Sequence, residues 1–327
     1  MIISRTPVRI SFFGGGTDYP EHFQKHGGSV LVTTIDKYYY LTVNKLSPFF
    51  DYNIRVSYSK LELVKTVDEI KHPSVRECLK FLNISKGVEI HCVGDLPART
   101  GLGSSSSFTV GLLNALYAFR REMVNTRQLA EEAVIIERER IKERVGLQDQ
   151  YVSAYGGFLY LRFHGKNKVD VHPVPISSQR LRMLNERLML FYTGIRRSAH
   201  EILKEQIEKT EVNASKLMTL NSFVKSGIDI LCNNKKLSQF GELLHEGWLI
   251  KQNLSTAITN EEINRNYEIA RKAGATGGKL LGAGGGGFLL LYVEPEYQNK
   301  VREALGHLKE AVFSFENEGS RIIFCNP

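Results

Sequence analysis

The run Pro97-Ala-Arg-Thr-Gly-Leu-Gly-Ser-Ser-Ser-Ser107 has the residue types to hold a phosphate. Gly101 and Gly103 permit a tight turn and four hydroxyls offer caps. The apolar positions Phe108, Leu112, Leu113, Leu116 and Tyr117 then predict a helix starting here. The first N–H groups of such a helix have no internal partners and stand at its positive end, which makes the loop a candidate anion site. An ordinary serine-capped helix has the same composition. A second run, Gly14-Gly15-Gly16-Thr17-Asp18, ends on a carboxylate, and is either a plain turn or a place where a ligand approaches bare backbone.

Two further acids have suggestive positions. Glu137 follows Ala133 by four residues and Val134 by three, and precedes Ile141 by four, so on a helix from Leu129 to Arg144 its carboxylate falls on the face that should be buried. It then needs a metal ion, an arginine or a structural ion pair as partner. Asp149 opens a short helical segment after Gly146, where a helix-favouring acid and a functional carboxylate look alike. Arg196 and Arg197, after an apolar strand, are candidates for a phosphate, as is Arg99, and surface arginines are the plain alternative. A third glycine run spans Gly274 to Gly287, and Gly282 to Gly287 formally fits GxGxxG. With a helix expected before it and a strand after, the context is wrong for a dinucleotide site. Lys279, followed by Leu280, does not complete a phosphate-binding P-loop motif either.

These residues need elements to hold them. Residues 2–13 and Ser29 to Val43 read as strands, as do Val88 to Val93, Phe158 to Phe163, Leu188 to Tyr192 and Phe288 to Val293. Helices are expected over Ser74 to Leu82, Val212 to Cys232, Leu237 to Lys251 and Asn260 to Ala273, besides those already named. The polar turn near Gly165 to Asp170 is the expected boundary between two domains, 1–168 and 169–327.

The chain has 327 residues, 42% of them hydrophobic, enough for a large core. No run of about 18 apolar residues and no signal-peptide pattern is present, so a soluble, cytoplasmic protein without membrane partners is expected. Cys78, Cys92, Cys232 and Cys325 lack CxxC spacing and read as reduced thiols. A net charge of +8 suits nucleotides and phosphorylated metabolites. The basic residues are mixed with acids, as in Glu137 to Arg144, and no aromatic–basic platform supports nucleic acid.

Taken together, Arg9-Ile-Ser-Phe-Phe-Gly-Gly-Gly-Thr-Asp-Tyr19, Pro97 to Ser107 and Gly274 to Gly287, with Asp149-Gln150 between the last two, resemble the GHMP small-molecule kinases over most of the chain. The first two motifs look most like the heptose 7-phosphate kinases of that superfamily. Gly15-Gly16 stands where galactokinases carry a Glu-His pair, which argues against galactose. The resemblance implies an α+β protein of two domains, the first like ribosomal protein S5 domain 2 and the second ferredoxin-like, with ATP and Mg2+ between them. It implies that Asp149 and Arg9 are catalytic and that Gly101, Leu102, Gly103, Ser104, Ser105 and Ser106 surround the triphosphate. Ser105 and Glu137 would ligate magnesium. Asp18, Gly15, Gly16, Thr17, Gly156, Gly157 and Arg197 would meet a sugar or sugar phosphate, and Gly282, Gly284 and Gly285 would brace the phosphate loop. A kinase for another free sugar, fucose- or galactose-like, and a non-catalytic sugar sensor on the same fold are the alternatives, and a homodimer is left open.

Overall fold

The computed structural model describes residues 1–326 apart from 99, 196–198 and 234, with backbone alone at 199–203. The arginines Arg99, Arg196 and Arg197 thus lie outside the described residues. In chain order the first half runs β1 (Ile2–Phe13), α1 (Pro20–His26), β2 (Gly28–Lys45), β3 (Ile54–Ser57), β4 (Leu61–Val64), α2 (Pro73–Phe81), β5 (Val88–Gly94), α3 (Ser104–Phe119), α4 (Thr126–Val134), α5 (Gln148–Tyr155), β6 (Phe158–His164) and β7 (Lys168–Pro173). The second half runs α6 (Ser178–Asn185), β8 (Leu188–Tyr192), α7 (Ala199–Glu208), α8 (Ala214–Cys232), α9 (Ser238–Gln252), α10 (Glu261–Lys272), β9 (Ala275–Leu280), β10 (Phe288–Val293), α11 (Gln298–Ala304), β11 (Lys309–Glu310), β12 (Phe315–Glu316) and β13 (Arg321–Cys325).

Among the described residues, nine strands make one sheet, in the order β13-β1-β2-β5-β3-β4, with β6 and β12 also on β2 and β7 on β6. The 18-residue β2 divides its length between two neighbours: residues 28–33 pair with β6 and residues 39–45 with β5. Valine, isoleucine, threonine and tyrosine fill it, side chains that suit a pleated, half-buried surface. Helix α3 lies against β1 and β2. Its Leu112, Leu113 and Leu116 are fully buried, roughly 1.5–3 kcal/mol each. The second sheet, β11-β8-β10-β9, is antiparallel with α9 and α10 packed on β9. Gly277 is needed there because a Cβ would sit 1.9 Å from the Gly241 carbonyl of α9. A core of Phe12, Phe13, Phe240, Leu281 and Phe288 spans the two sheets, with a second core around Trp248 and Tyr267.

The α+β, two-domain architecture is as expected, but a cut at 168/169 is not where the sheets part. That cut falls at the start of β7, which pairs with β6, and the chain end returns as β12 and β13 to pair with β2 and β1. The long helix expected to reach Arg144 also divides. Asn125 caps α4 through its side chain, the turn widens to a π-helix over Ile135–Arg140, and Lys142 takes φ +63°. Helix α10 stands before the third glycine run as expected, but the first half of the run is itself the strand β9, which directly precedes Gly282 to Gly287. The run is a hairpin loop, and since no helix follows it the dinucleotide reading stays excluded.

Candidate active site

Helix α5 opens with Gln148-Asp149-Gln150, and successive helical residues project about 100° apart. Neighbours in sequence therefore reach three different partners. Asp149 takes Arg9 in a two-pronged ion pair, Nε to Oδ1 at 2.7 Å and Nη2 to Oδ2 at 2.8 Å. Gln148 Nε2 donates to Asp18 Oδ2 at 2.9 Å, and Gln150 Nε2 to Glu137 Oε2 at 2.5 Å. Arg9 is buried in β1 and its third nitrogen, Nη1, donates to the Gly101 carbonyl at 2.5 Å. One arginine thus fixes both the carboxylate and the glycine loop.

The loop takes its shape from glycine and from the second sheet. Gly101 and Gly103 have φ of +84° and +75°, the left-handed region that L side chains rarely adopt. A Cβ on Gly101 would lie 2.4 Å from the Leu281 carbonyl, and one on Gly282 would lie 2.5 Å from Gly101 Cα. Phe288 N donates to the Thr100 carbonyl at 3.2 Å. Gly282 therefore packs on the loop, whereas Gly284 and Gly285 pack on Ile258, Gly285 donating its N–H to that carbonyl at 2.8 Å. Gly103 is the N-cap of α3 and supplies no side-chain acceptor to the helix start, an arrangement suited to an external anion.

Behind this helix start lies Glu137, fully buried on the π-helical turn. Its partner is Ser106, whose hydroxyl donates to Oε2 at 2.8 Å, while Ser105 is exposed. Both serines line the cavity, and Ser106, the third residue of α3, is the one whose hydroxyl turns to Glu137. Glu137 Oε1 is buried with no partner, and burial, reinforced by the charge of Glu143, pushes the carboxyl up to about 7. A bare carboxylate oxygen beside a serine hydroxyl fits a hard cation that takes oxygen ligands. Among the described residues no cluster of three or more His, Cys, Asp or Glu side chains is poised for a metal, so phosphate oxygens would have to complete its ligand set.

A cavity of about 310 Å³ joins these parts. Arg9, Gly15, Gly16, Asp18, Asp149, Gly101 and residues 103–106 line it from one side, and Lys251, Lys279 and Gly282 from the other. Asp18 is buried and accepts from Gly16 N at 3.1 Å; burial first, then the charge of Asp149, pushes its carboxyl up. Gly146 has to be bare, since a Cβ would lie 1.9 Å from Asp18 Oδ2.

Three expected contacts are absent from the cavity. Thr17 is fully buried and its hydroxyl is spent on the Gly14 and Ser29 carbonyls and the Ser29 N–H, so it shapes the turn. Gly156 and Gly157 pack instead under the returning chain end, where a Cβ on Gly156 would lie 2.0 Å from the Glu318 carbonyl carbon.

The structure adds Lys251, Lys279 and Ser11, which sequence reasoning missed as ligand-facing residues. Lys251 had a readable signal. It follows Leu244 by seven residues and Trp248 by three, on the buried face of α9, as Glu137 does on its own helix. Burial, then the charge of Arg9, brings its ammonium down to about 8, with Asp18 opposing. Lys279 was set aside with the P-loop motif and proves to be a strand residue whose side chain crosses to β1.

The arrangement holds an ionised pair beside a helix-end anion site, the equipment for moving a phosphoryl group onto a hydroxyl. Comparison with known proteins agrees. Family profiles for the N-terminal and C-terminal domains of GHMP kinases match residues 62–157 and 230–310. A D-glycero-alpha-D-manno-heptose 7-phosphate kinase of Campylobacter jejuni is 30% identical, with 97% of each chain covered. A galactokinase of Pyrococcus furiosus is 25% identical over 96% of this chain and 95% of its own. The crystal structure of a D-glycero-D-manno-heptose 1-phosphate kinase from Bacteroides thetaiotaomicron superposes with TM-score 0.75 at 23% identity, covering 100% of both chains, and so supports the fold. With a glycine loop opening on a helix start and a paired aspartate in a cavity between the two sheets, this chain belongs to the GHMP kinases and is an ATP-dependent phosphotransferase.

Proposed function

We propose that the chain phosphorylates the anomeric hydroxyl of D-glycero-D-manno-heptose 7-phosphate, giving the 1,7-bisphosphate and ADP. The observation that carries this reading is the Arg9–Asp149 pair on the cavity wall, between the phosphate loop and Asp18. The name of the Campylobacter jejuni relative supplies the sugar, and the bare Gly15 and Gly16 leave space for an acceptor larger than galactose.

In this mechanism Asp149 orients the attacking hydroxyl and takes its proton as the bond to the γ-phosphorus forms and the bond to the ADP oxygen breaks. Arg9 holds Asp149 at two points, so the carboxylate meets the hydroxyl with its geometry already set. The N–H groups at the start of α3, with Arg9, neutralise charge on the phosphoryl oxygens. Asp18, held by Gln148 and Gly16 N, accepts hydrogen bonds from the sugar. Magnesium, held by Ser106 and Glu137 together with the phosphates of ATP, would supply further charge neutralisation there.

The test is a panel of phosphorylated and free sugars with ADP release followed. Highest kcat/KM for the heptose 7-phosphate is expected. Preference for a free hexose overturns the substrate, and ADP release with no acceptor in the panel overturns the sugar kinase reading.

A further inference from the structure

Lys251 and Lys279 are 9% and 8% exposed and both line the cavity. Among the described residues neither has a carboxylate partner. Lys279 Nζ donates to the carbonyls of Ser11 at 3.0 Å and Phe12 at 2.8 Å. Lys251 Nζ donates to the carbonyl of Gly282 at 2.6 Å and, more weakly, to that of Leu280 at 3.4 Å. An ammonium has three N–H groups, so each lysine retains at least one. Beside them the Ser11 hydroxyl, on a residue 7% exposed, is buried without any partner and also lines the cavity. A buried ammonium with no ion-paired carboxylate is unfavourable, and an unpaired buried hydroxyl adds to that. A phosphate would supply the charge and the acceptor oxygens together.

The position separates Ser11 and the Lys279 ammonium from the triphosphate loop, whereas Lys251, bonded to Gly282, adjoins it. Strand β1 touches the loop at Arg9, whose N–H donates to the Leu102 carbonyl at 3.0 Å. Ser11 and Phe12 stand two and three residues further along the strand, about 7–10 Å at strand rise, toward the Gly14–Gly16 turn and Asp18. That separation is comparable with the span of a sugar whose two ends carry the reacting hydroxyl and a phosphate. Lys251, held at Gly282, flanks the interval between.

We infer that Lys279, Ser11 and Lys251 form a second anion subsite, which takes a phosphate already borne by the acceptor. The inference rests on the proposed reading that the acceptor is a sugar phosphate. Burial lowers the Lys279 ammonium well below the usual lysine range, so a bound phosphate draws a proton onto it.

The experiment uses the whole protein saturated with magnesium and a non-hydrolysable ATP analogue, so that the triphosphate loop is occupied, and titrates inorganic phosphate by calorimetry in buffers of different ionisation enthalpy. Saturable binding with proton uptake is expected. Lys279→Met should weaken it at least tenfold, Ser11→Ala severalfold, and Lys279→Arg should retain most of it. In turnover, Lys279→Met should raise KM for the phosphorylated acceptor at least tenfold while affinity for the ATP analogue holds. Absence of phosphate binding to the loaded wild type overturns the subsite. So does unchanged binding in both Lys279→Met and Ser11→Ala, or a loss confined to ATP affinity. Should Lys279→Met fail to fold, by loss of its thermal transition, Ser11→Ala decides alone. If the panel selects a free sugar while phosphate still binds the loaded protein through Lys279, the subsite stands and the substrate reading falls.

Discussion

The two walls of the cavity handle buried charge in opposite ways. On the first-sheet wall Arg9 and Asp149 neutralise one another through two short hydrogen bonds, and Gly101 takes the remaining guanidinium donor. On the second-sheet wall, among the described residues, Lys251 and Lys279 have only carbonyl oxygens as hydrogen-bond partners. A cation on carbonyls is oriented but not neutralised, so its charge stays available to a ligand. Under the proposed function the paired wall would serve the transfer step, which is the same for every acceptor, and the unpaired wall would tell acceptors apart.

The severest way to break the contrast is Asp149→Asn, which leaves Arg9 as unpaired as the lysines. A fall in kcat of about 1,000-fold is expected with affinity for an ATP analogue preserved. Turnover close to wild type would remove Asp149 from the chemistry. Next is the cluster behind the helix start. Glu137→Gln should raise the magnesium concentration for half-maximal rate on the order of tenfold. An unchanged magnesium titration would sink its assignment with Ser106.

The unpaired wall has a pH dependence to test. Lys251 loses its proton near pH 8, so binding of a phosphorylated acceptor should weaken as pH rises through that value, approaching tenfold per pH unit in KM. A KM profile flat from pH 7 to 9.5 would contradict it. Stability of the ligand-free protein runs the other way. The folded-state pKa lies below the unfolded one, so between about pH 8 and 10 the unfolded chain holds more protons and stability rises with pH, by about 3 kcal/mol in the limit. Denaturant melts across that range test the sign.

The smallest kinetic effect sharpens the boundary of the site. Thr17→Val removes a hydroxyl spent entirely on the turn, and should cost about 1–3 kcal/mol of stability with acceptor KM unchanged. A raised KM at unaltered stability would return Thr17 to the sugar site.

The sequence sufficed where one local rule acted alone. Glycines before a run of serines and an apolar period announced α3 and its loop, and the position of Glu137 on an apolar face announced a buried carboxylate. The same rule applied to α9 would have found Lys251. It failed where a neighbour in space sets the outcome. Gly156 and Gly157 looked like ligand-facing glycines until the chain end from residues 315–325 packed on them, and the glycine-rich β9 looked unlike a strand until α9 lay against it. Ser105 and Ser106 are chemically identical, and only the helix phase relative to the π-turn decides which of them bonds Glu137.

Local pattern by itself determined a glycine loop opening on a helix and a carboxylate on a buried face, because hydrogen-bond and apolar periodicities act over a few residues, while the two-domain fold followed from the resemblance that the three motifs carry together. The tertiary structure alone decided that Arg9 meets Asp149 across 140 positions and that Lys279 reaches the far end of β1 across 268. Pairings at that separation depend on strand register and on how two sheets share a core, and neither is written in any short stretch of the chain.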